Sequence, residues 1–190
     1  MEGTPSTAAR ILATAAEQFY ERGYHATNMR EIAASVGIRA PSLYKHFSAK
    51  EDLLFKITHG TMLELLERGQ SAIAEASDAD RRLRRLIEQH VVFHCERRFE
   101  AKVADEQLHA LGDEHRATVI EVRDAYELLF RSAVEDGAAD GWSVTDPALV
   151  TFAITTMASS VTDWYSENGR LSPDDIAVAY ADFALRGVGR

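Results

Sequence analysis

Apolar residues recur at helical spacing along most of this 190-residue chain, and this periodicity constrains its fold more than any other feature. The first such stretch runs from about Ser6 to Arg22 and ends at Gly23. Its apolar face is made by Leu12, Ala15, Ala16 and Phe19. Three of the four prolines stand where a helix can begin, and no segment alternates apolar and polar residues as a strand does. The sequence therefore predicts an all-α fold.

A short helix is predicted after the first one. Thr27 is expected to be its N-cap, and Gly37 is expected to end it. Its inward face repeats at the spacing of a helix and consists of Met29, Ile32, Ala33 and Val36.

A second short helix follows Pro41, and a long helix follows that one. Leu43 and Phe47 stand four residues apart and are expected to dock the second short helix onto its neighbours. Ser48, with Glu51 three residues later, has the pattern of a capping box for a long helix from about Ala49 to Ala76.

Two short helices joined by a tight turn that contains glycine form the helix-turn-helix unit. The side chains expected to point outward from its second helix are Arg39, Ser42, Tyr44, Lys45 and His46. Such a helix fits the DNA major groove, where these side chains can reach base edges and phosphates. Thr27 and Lys50 begin the neighbouring helices, where backbone N–H groups and the helix dipole favour a phosphate. An ordinary three-helix subdomain with a solvated polar face would show the same pattern.

Charge is distributed unevenly along the chain. The net charge is −9, yet residues 1–60 carry seven Lys or Arg against six Asp or Glu, which leaves −10 for residues 61–190. An acidic protein can bind DNA when its cationic groups are local and its acids face away. The change near residue 60 is therefore a candidate boundary between two functional parts.

Residues 11–54, "ILATAAEQFYERGYHATNMREIAASVGIRAPSLYKHFSAKEDLL", resemble the N-terminal DNA-binding domain of the tetracycline-repressor (TetR) family of transcription regulators. The resemblance implies a helix-turn-helix domain over residues 1–54 and a larger helical domain for ligand binding and dimerisation over residues 55–190. It also implies a homodimer that binds a palindromic double-stranded DNA operator and is released by a small effector. No cofactor and no enzymatic activity are implied.

The family resemblance also assigns roles to the DNA-contact residues. Thr27, Tyr44 and Lys50 match phosphate contacts, Lys45 and His46 match backbone or base contacts, and Arg39 and Ser42 match base readers. Ala40 and Pro41 depart from the common family pattern, because neither brings a polar side-chain group and proline has no N–H for a phosphate. The operator sequence of a relative is therefore not transferable to this chain.

Two C-terminal helices are the predicted dimer interface. One is expected from Pro147 to about Glu167, with a face made by Leu149, Phe152, Ala153, Thr156, Ser160 and Trp164. The other begins after Ser172, and its repeating positions are Ile176, Ala179, Tyr180, Phe183, Ala184 and Gly187. In the TetR family two such helices pair with their counterparts in a partner. Alternatively, both could simply cover the core of one protomer.

The middle of the chain, with helices near residues 81–98 and 115–135, is expected to hold a ligand pocket. The predicted lining residues are Phe93, Arg97, Tyr126, Met157, Trp164 and Tyr165. The segment "DWYSENGRLSPDDIA" is similar to TetR regulators of fatty-acid and sterol catabolism that sense acyl-CoA thioesters. An apolar effector is expected, with an acyl-CoA thioester as one candidate, although aromatic residues at these spacings also occur as ordinary core.

Three alternatives from other classes remain open at the level of sequence. His90 and His94, with Asp105, Glu106 and His109, could collect a divalent metal. Cys95 is the single cysteine and could be a redox sensor, although it has no resolving partner in the chain. An acyl-CoA-processing enzyme would need a nucleophile elbow or an acid–base pair, and the chain shows neither. The single cysteine and the lack of a signal peptide or long apolar run indicate a soluble cytoplasmic protein without a membrane partner.

Overall fold

The structure is a computed structural model that describes residues 5–189. The described residues contain ten α-helices and one short 3₁₀ helix, Leu108–Ala110, and no strand. The α-helices are α1 (Thr7–Arg22), α2 (Met29–Val36), α3 (Ala40–His46), α4 (Lys50–Ile73), α5 (Ala79–Glu96), α6 (Arg98–Glu106), α7 (Asp113–Ala139), α8 (Pro147–Ser159), α9 (Val161–Trp164) and α10 (Pro173–Gly187). The predicted all-α fold is confirmed.

The chain divides into two compact units. The first contains the residues up to Met62 together with Phe99–Ile120, and the second contains Leu63–Arg98 and the residues from Glu121 onward. The units divide within α4 and α7, so each of these helices begins in the first unit and ends in the second. A functional division after residue 54 stays a prediction.

In the first unit α1 packs against α2, and α2 packs against α3. Gly23, with a φ of 84°, ends α1, and Gly37, in the left-handed region with a φ of 78°, ends α2. All four predicted core positions of α2 are buried. On α1, Ile11 takes the fully buried place while the predicted Leu12 is only half-buried.

The predicted N-cap of α2 is wrong by one residue. Asn28, rather than Thr27, caps this helix, since its side chain accepts from the backbone N–H groups of Arg30 (3.1 Å) and Glu31 (3.0 Å). Both residue types favour this position. The hydroxyl of Thr27 is turned away because it donates to backbone carbonyls near the end of α1.

The predicted capping box of α4 is also wrong in its partner. The carboxylate of Asp52, rather than that of Glu51, accepts from the backbone N–H of Ala49 (3.0 Å) and from the Ser48 hydroxyl. α4 begins one residue later than predicted, so Asp52 occupies its third position. It ends at Ile73, three residues before the predicted Ala76.

The second unit is built around α5, which packs most extensively against α10 and also against α8 and α9. The predicted helix from Pro147 to Glu167 is broken. α8 ends at Ser159, α9 is a single turn, and Tyr165 is extended with a ψ of 140°. α10 begins with the expected cap and proline, and Ser172 and Asp175 form a capping box.

Candidate functional site

The outward face of α3 carries the predicted DNA-contact side chains. Leu43 is fully buried and Phe47 is nearly so, which fixes α3 against the first unit. Side chains between and before these two anchors are exposed, and Tyr44 is 49% exposed. The exposed set is Arg39, Ser42, Tyr44, Lys45 and His46. The structure therefore places five of the seven predicted DNA-contact residues on one short exposed helix and at its cap.

Thr27 lies in the interior instead of on this surface. It is 1% exposed, and its hydroxyl donates to the carbonyls of Gly23 (3.0 Å) and Gln18 (3.2 Å). The hydroxyl therefore links the end of α1 to the start of α2, and a DNA contact of Thr27 stays a prediction.

Lys50 is also engaged within the protein. Its Nζ donates to three backbone carbonyls, those of Tyr24 (2.7 Å), Thr27 (2.9 Å) and His25 (3.2 Å). The same ammonium lies 4.4 Å from the centre of the Tyr24 ring, a cation–π contact. Partial burial lowers the pKa of Lys50 from its ordinary value. Helical spacing in the sequence gave no sign of this loop contact, because the partners are backbone atoms 23 to 26 residues away.

Glu51, which sequence analysis assigned only to a cap, holds the start of α7. Its carboxylate accepts from the backbone N–H of Gly112 (2.9 Å) and lies 3.1 Å from His115 Nδ1. The Gly112 hydrogen bond and then the His115 contact lower the pKa of Glu51. The Phe55 ring stacks against the His115 ring at 4.1 Å. The first turn of α4 is therefore hydrogen-bonded to two segments of the first unit. Lys50 bonds the loop between α1 and α2, and Glu51 bonds the start of α7.

A buried polar cluster lies inside the second unit. His90 on α5 is fully enclosed, with Nδ1 at 2.9 Å from the Tyr126 hydroxyl on α7 and Nε2 at 3.0 Å from the Ser159 hydroxyl on α8. Burial, and secondarily the neighbouring His94, hold the pKa of His90 well below its usual range. His90 is therefore neutral, with one ring nitrogen donating and the other accepting.

The predicted ligand-binding residues do not form one group. Tyr126 belongs to the buried cluster, and Phe93 is fully buried in contact with the ring of His94. Trp164 and Tyr165 line a separate open cavity of about 260 Å³ that also includes Arg170.

The two remaining predicted ligand residues lie elsewhere. Arg97 is exposed and pairs with Glu64 at 2.9 Å, and Met157 is half-buried on α8. Arg97 is therefore part of a surface ion-pair network. Its partner Glu64 also pairs with Arg68, which in turn pairs with Glu96.

The geometry bears on the metal and redox alternatives. The rings of His90 and His94 stack at 3.9 Å, and their Nδ1 atoms are hydrogen-bonded to Tyr126 and to the His90 carbonyl. Among residues 5–189, no three His, Cys, Asp or Glu side chains are placed to hold a metal ion. Burial raises the pKa of the Cys95 thiol to about 11, which disfavours the reactive thiolate. Within residues 5–189, none of the helices combines the length and the apolar character that a membrane span requires.

α8 and α10 present large apolar side chains to the outside. Leu149 and Phe152 on α8 are 63% and 67% exposed, and Phe183 on α10 is 68% exposed. Ile176 and Ala184, which were predicted for the same interface, are buried in the protomer's own core. The outer and inner faces of α10 therefore carry different apolar residues.

Three short packed helices with an exposed polar helix α3, followed by further α-helices, are typical of a helix-turn-helix DNA-binding transcription regulator. Residues 11–57 match the family described as bacterial regulatory proteins, tetR family, and residues 76–188 match the tetracyclin repressor-like C-terminal domain. The chain belongs to the TetR family.

Individual relatives agree with this assignment. A TetR-family regulatory protein from Rhodococcus RHA1 has a TM-score of 0.89 and 33% identity, with 98% of each chain covered. The transcriptional repressor KstR2 of Rhodococcus jostii is 28% identical over 181 residues, which cover 94% of this chain and 89% of KstR2. AibR, solved in complex with isovaleryl coenzyme A and operator DNA, has a TM-score of 0.83 and 26% identity, with 94% and 97% of the chains covered. The relatives are regulators, which confirms the prediction that the chain is not an enzyme.

Proposed function

We propose that this protein is a transcription repressor that binds a palindromic operator as a homodimer and leaves it when a small apolar effector binds the second unit. The leading effector class is an acyl-CoA thioester. The observation that carries the proposal is the exposed polar face of α3 in a chain of this family.

DNA recognition is assigned to this face. Arg39 and Ser42 are proposed to read bases from the start of α3, while Tyr44, Lys45 and His46 contact the backbone or flanking bases. Substitution of an exposed side chain on this face should leave the buried anchors Leu43 and Phe47 in place, so that it changes only contacts with DNA. Tyr44→Phe should therefore weaken binding to all duplexes alike, whereas Arg39→Ala should change which sequence is preferred.

The exposed apolar side chains of α8 and α10 support a homodimer. Leu149, Phe152 and Phe183 are large apolar side chains that are each more than 60% exposed, and a second copy of the chain would bury them. Two recognition helices in a dimer would read half-sites about one turn of DNA apart, roughly 34 Å.

Three observations support effector binding in the second unit. AibR, a relative of similar fold, has been solved with isovaleryl coenzyme A. The cavity beside Trp164 and Tyr165 combines aromatic surfaces with the cation of Arg170, which suits a ligand with apolar and anionic parts. The buried His90–Tyr126–Ser159 cluster adds polar groups to the otherwise apolar interior of the same unit.

The test begins by selecting duplexes from a random pool with the wild-type protein, which should yield a palindrome. Straight-chain, branched, steroid-derived and aromatic acyl-CoA thioesters are then added to the protein–DNA complex. The matched free acids and free CoA serve as controls. A thioester should raise the melting temperature of the protein and release DNA, and linkage requires that DNA weaken thioester binding by the same factor.

Other outcomes decide between the alternatives. If the free acids act as well as the thioesters, the effector is a simple apolar acid. If a divalent metal alone raises the melting temperature and releases DNA, the metal-responsive alternative replaces the acyl-CoA proposal, and if only an oxidant does so, the redox alternative replaces it. Failure to select any palindrome would contradict the DNA-binding part of the proposal.

A further inference from the structure

The start of α4 is joined to the start of α7, inside the first unit, by two hydrogen bonds that share one carboxylate oxygen. Glu51 Oε1 accepts from the backbone N–H of Gly112 at 2.9 Å and lies 3.1 Å from His115 Nδ1. The Gly112 bond and then the His115 bond lower the pKa of Glu51, so its carboxylate is ionised and can only accept. Gly112 directly precedes α7, and a negative charge is favoured at this end of a helix.

Aromatic stacking and a close backbone approach add to these two bonds. Phe55 lies one turn after Glu51 on α4, and its ring stacks on the His115 ring at 4.1 Å with an angle of 13° between the planes. A Cβ at Gly112 would lie 3.1 Å from the Glu51 carboxylate oxygen, so an alanine there would push the carboxylate aside. These four residues, Glu51, Phe55, Gly112 and His115, are named the α4–α7 contact.

The connection from this contact to α3 is short and well held. Only Phe47, Ser48 and Ala49 separate α3 from α4. Phe47 is buried, while the Ser48 hydroxyl and the Ala49 backbone N–H both donate to the carboxylate of Asp52 in the first turn of α4. A displacement of this turn therefore also displaces α3, which carries the exposed polar side chains.

We propose that the α4–α7 contact positions α3 for DNA binding, because it makes the place of the α4 start depend on the place of the α7 start. The inference rests on the proposed DNA binding and adds Gly112 and His115, which lie outside the helix-turn-helix match at residues 11–57. All four residues are positioning residues, and none is assigned a contact with DNA. Since α7 continues into the second unit, the contact also gives effector binding a route to α3.

Three substitutions disturb the contact in different ways. Glu51→Gln removes the charge, and His115→Phe removes the donor to Glu51 while keeping a ring to stack on Phe55. Gly112→Ala displaces the carboxylate and changes no charge. Glu114→Gln is the matched control, because Glu114 is exposed in the first turn of α7 and its substitution removes an equal charge.

The first measurement is the affinity of each variant for the wild-type-selected duplex. A carboxylate that acted only through its charge would repel DNA, so its loss would tighten binding. The proposal gives the opposite sign, since Glu51→Gln, His115→Phe and Gly112→Ala should each weaken binding by about fivefold. Glu114→Gln should not weaken binding.

A double variant tests whether Glu51 and His115 act through the same contact. Because the contact can be lost only once, Glu51→Gln combined with His115→Phe should bind about as weakly as either single variant. Tighter binding by Glu51→Gln, or losses that multiply to about 25-fold in the double variant, would overturn the proposal.

Amide hydrogen exchange without DNA tests the contact independently of any operator. His115→Phe on α7 should accelerate exchange at residues 54–57 of α4 by about fivefold, whereas Glu114→Gln should leave it unchanged. Circular dichroism checks that both variants are folded. Unchanged exchange at residues 54–57 in folded His115→Phe would reject the positioning role even if no operator were found. Failure of the wild type to bind any duplex would concern only the proposed function.

Discussion

At the scale of single residues, the second unit depends on a histidine that is kept neutral. The Tyr126 and Ser159 hydroxyls satisfy both ring nitrogens of His90, so a proton on the ring would remove its acceptor and place a charge in the interior. Burial is the main cause of the lowered pKa, and the charge of a protonated His94 would add to it. The protein therefore tolerates His90 only in its uncharged form.

This state of His90 predicts how stability depends on pH. The unfolded chain binds a proton at His90 below about pH 6.5, whereas the folded chain does not until the pH reaches its lowered pKa. The stability from neutral His90 is thus fully present above about pH 6.5 and falls with pH below it, by up to about 1.4 kcal/mol per pH unit. Urea unfolding of wild type and His90→Gln at pH 7.5 and 5.5 gives the free energy of unfolding of each protein. The difference in this free energy between the two proteins should be smaller at pH 5.5. Equal pH dependence in both would contradict it.

At the scale of helices, one glycine sets how closely the end of α7 meets the following segment. A Cβ at Gly137 would overlap the indole ring of Trp142. That ring is buried, and its Nε1 donates to Asp80 at 3.1 Å, so it has little room to move. Gly137 is therefore accommodated inside α7, in spite of the poor helix propensity of glycine, because the Trp142 ring packs against its backbone.

Gly137→Ala should lower the free energy of unfolding by about 1–3 kcal/mol, because overpacking outweighs the gain in helix propensity. Gly60→Ala is the control, since nothing lies near a Cβ at Gly60 on α4 and the change should stabilise by roughly 0.5–1 kcal/mol. Urea unfolding of both variants gives the comparison. A stabilised Gly137→Ala would show that Trp142 is free to shift.

Helical periodicity predicted most of the helices and many of the buried positions, although α6 was not predicted. α2 has all four of its expected core residues, and α5 buries its apolar stripe with both histidines. Hydrogen bonds between residues that are far apart in the sequence could not be predicted from that periodicity. Thr27 and Asn28 are both good caps, and the carbonyls at the end of α1 decide between them. The hydrogen bonds of Lys50 to three backbone carbonyls are likewise not predictable from helical spacing.

Helical spacing missed the helix break at Ser160. It predicted one helix from Pro147 to about Glu167, yet α8 ends at Ser159, α9 is a separate single turn and Tyr165 is extended. Trp164 and Tyr165 consequently line a cavity with Arg170, while Phe93 and Tyr126 pack inside. α8 and α9 both pack against α5, and contacts of this kind between distant segments cannot be read from the spacing of one sequence.

At the scale of the whole molecule, α8 and α10 divide their apolar residues between two uses. Ile154 and Ala158 on α8, and Ile176 and Ala184 on α10, are buried within the protomer. Phe152 and Phe183 are about two-thirds exposed, at 67% and 68%. Because the inner residues already complete the core, the outer ones are available to a second copy of the chain.

Phe183→Glu should therefore convert the proposed dimer to a folded monomer. In a dimer the carboxylate would be buried without a partner, whereas in a monomer position 183 faces water and the core stays filled. Leu128→Glu is the matched control, because Leu128 on α7 is 56% exposed in the same unit and should leave the dimer intact. Sedimentation velocity at micromolar concentration gives the mass of each variant, and circular dichroism checks that both are folded. The monomer should lose most of its affinity for a palindrome while still binding a single half-site weakly. A wild-type monomer, or a Phe183→Glu variant that stays dimeric and binds the palindrome as wild type does, would contradict the assignment of α8 and α10 to the interface.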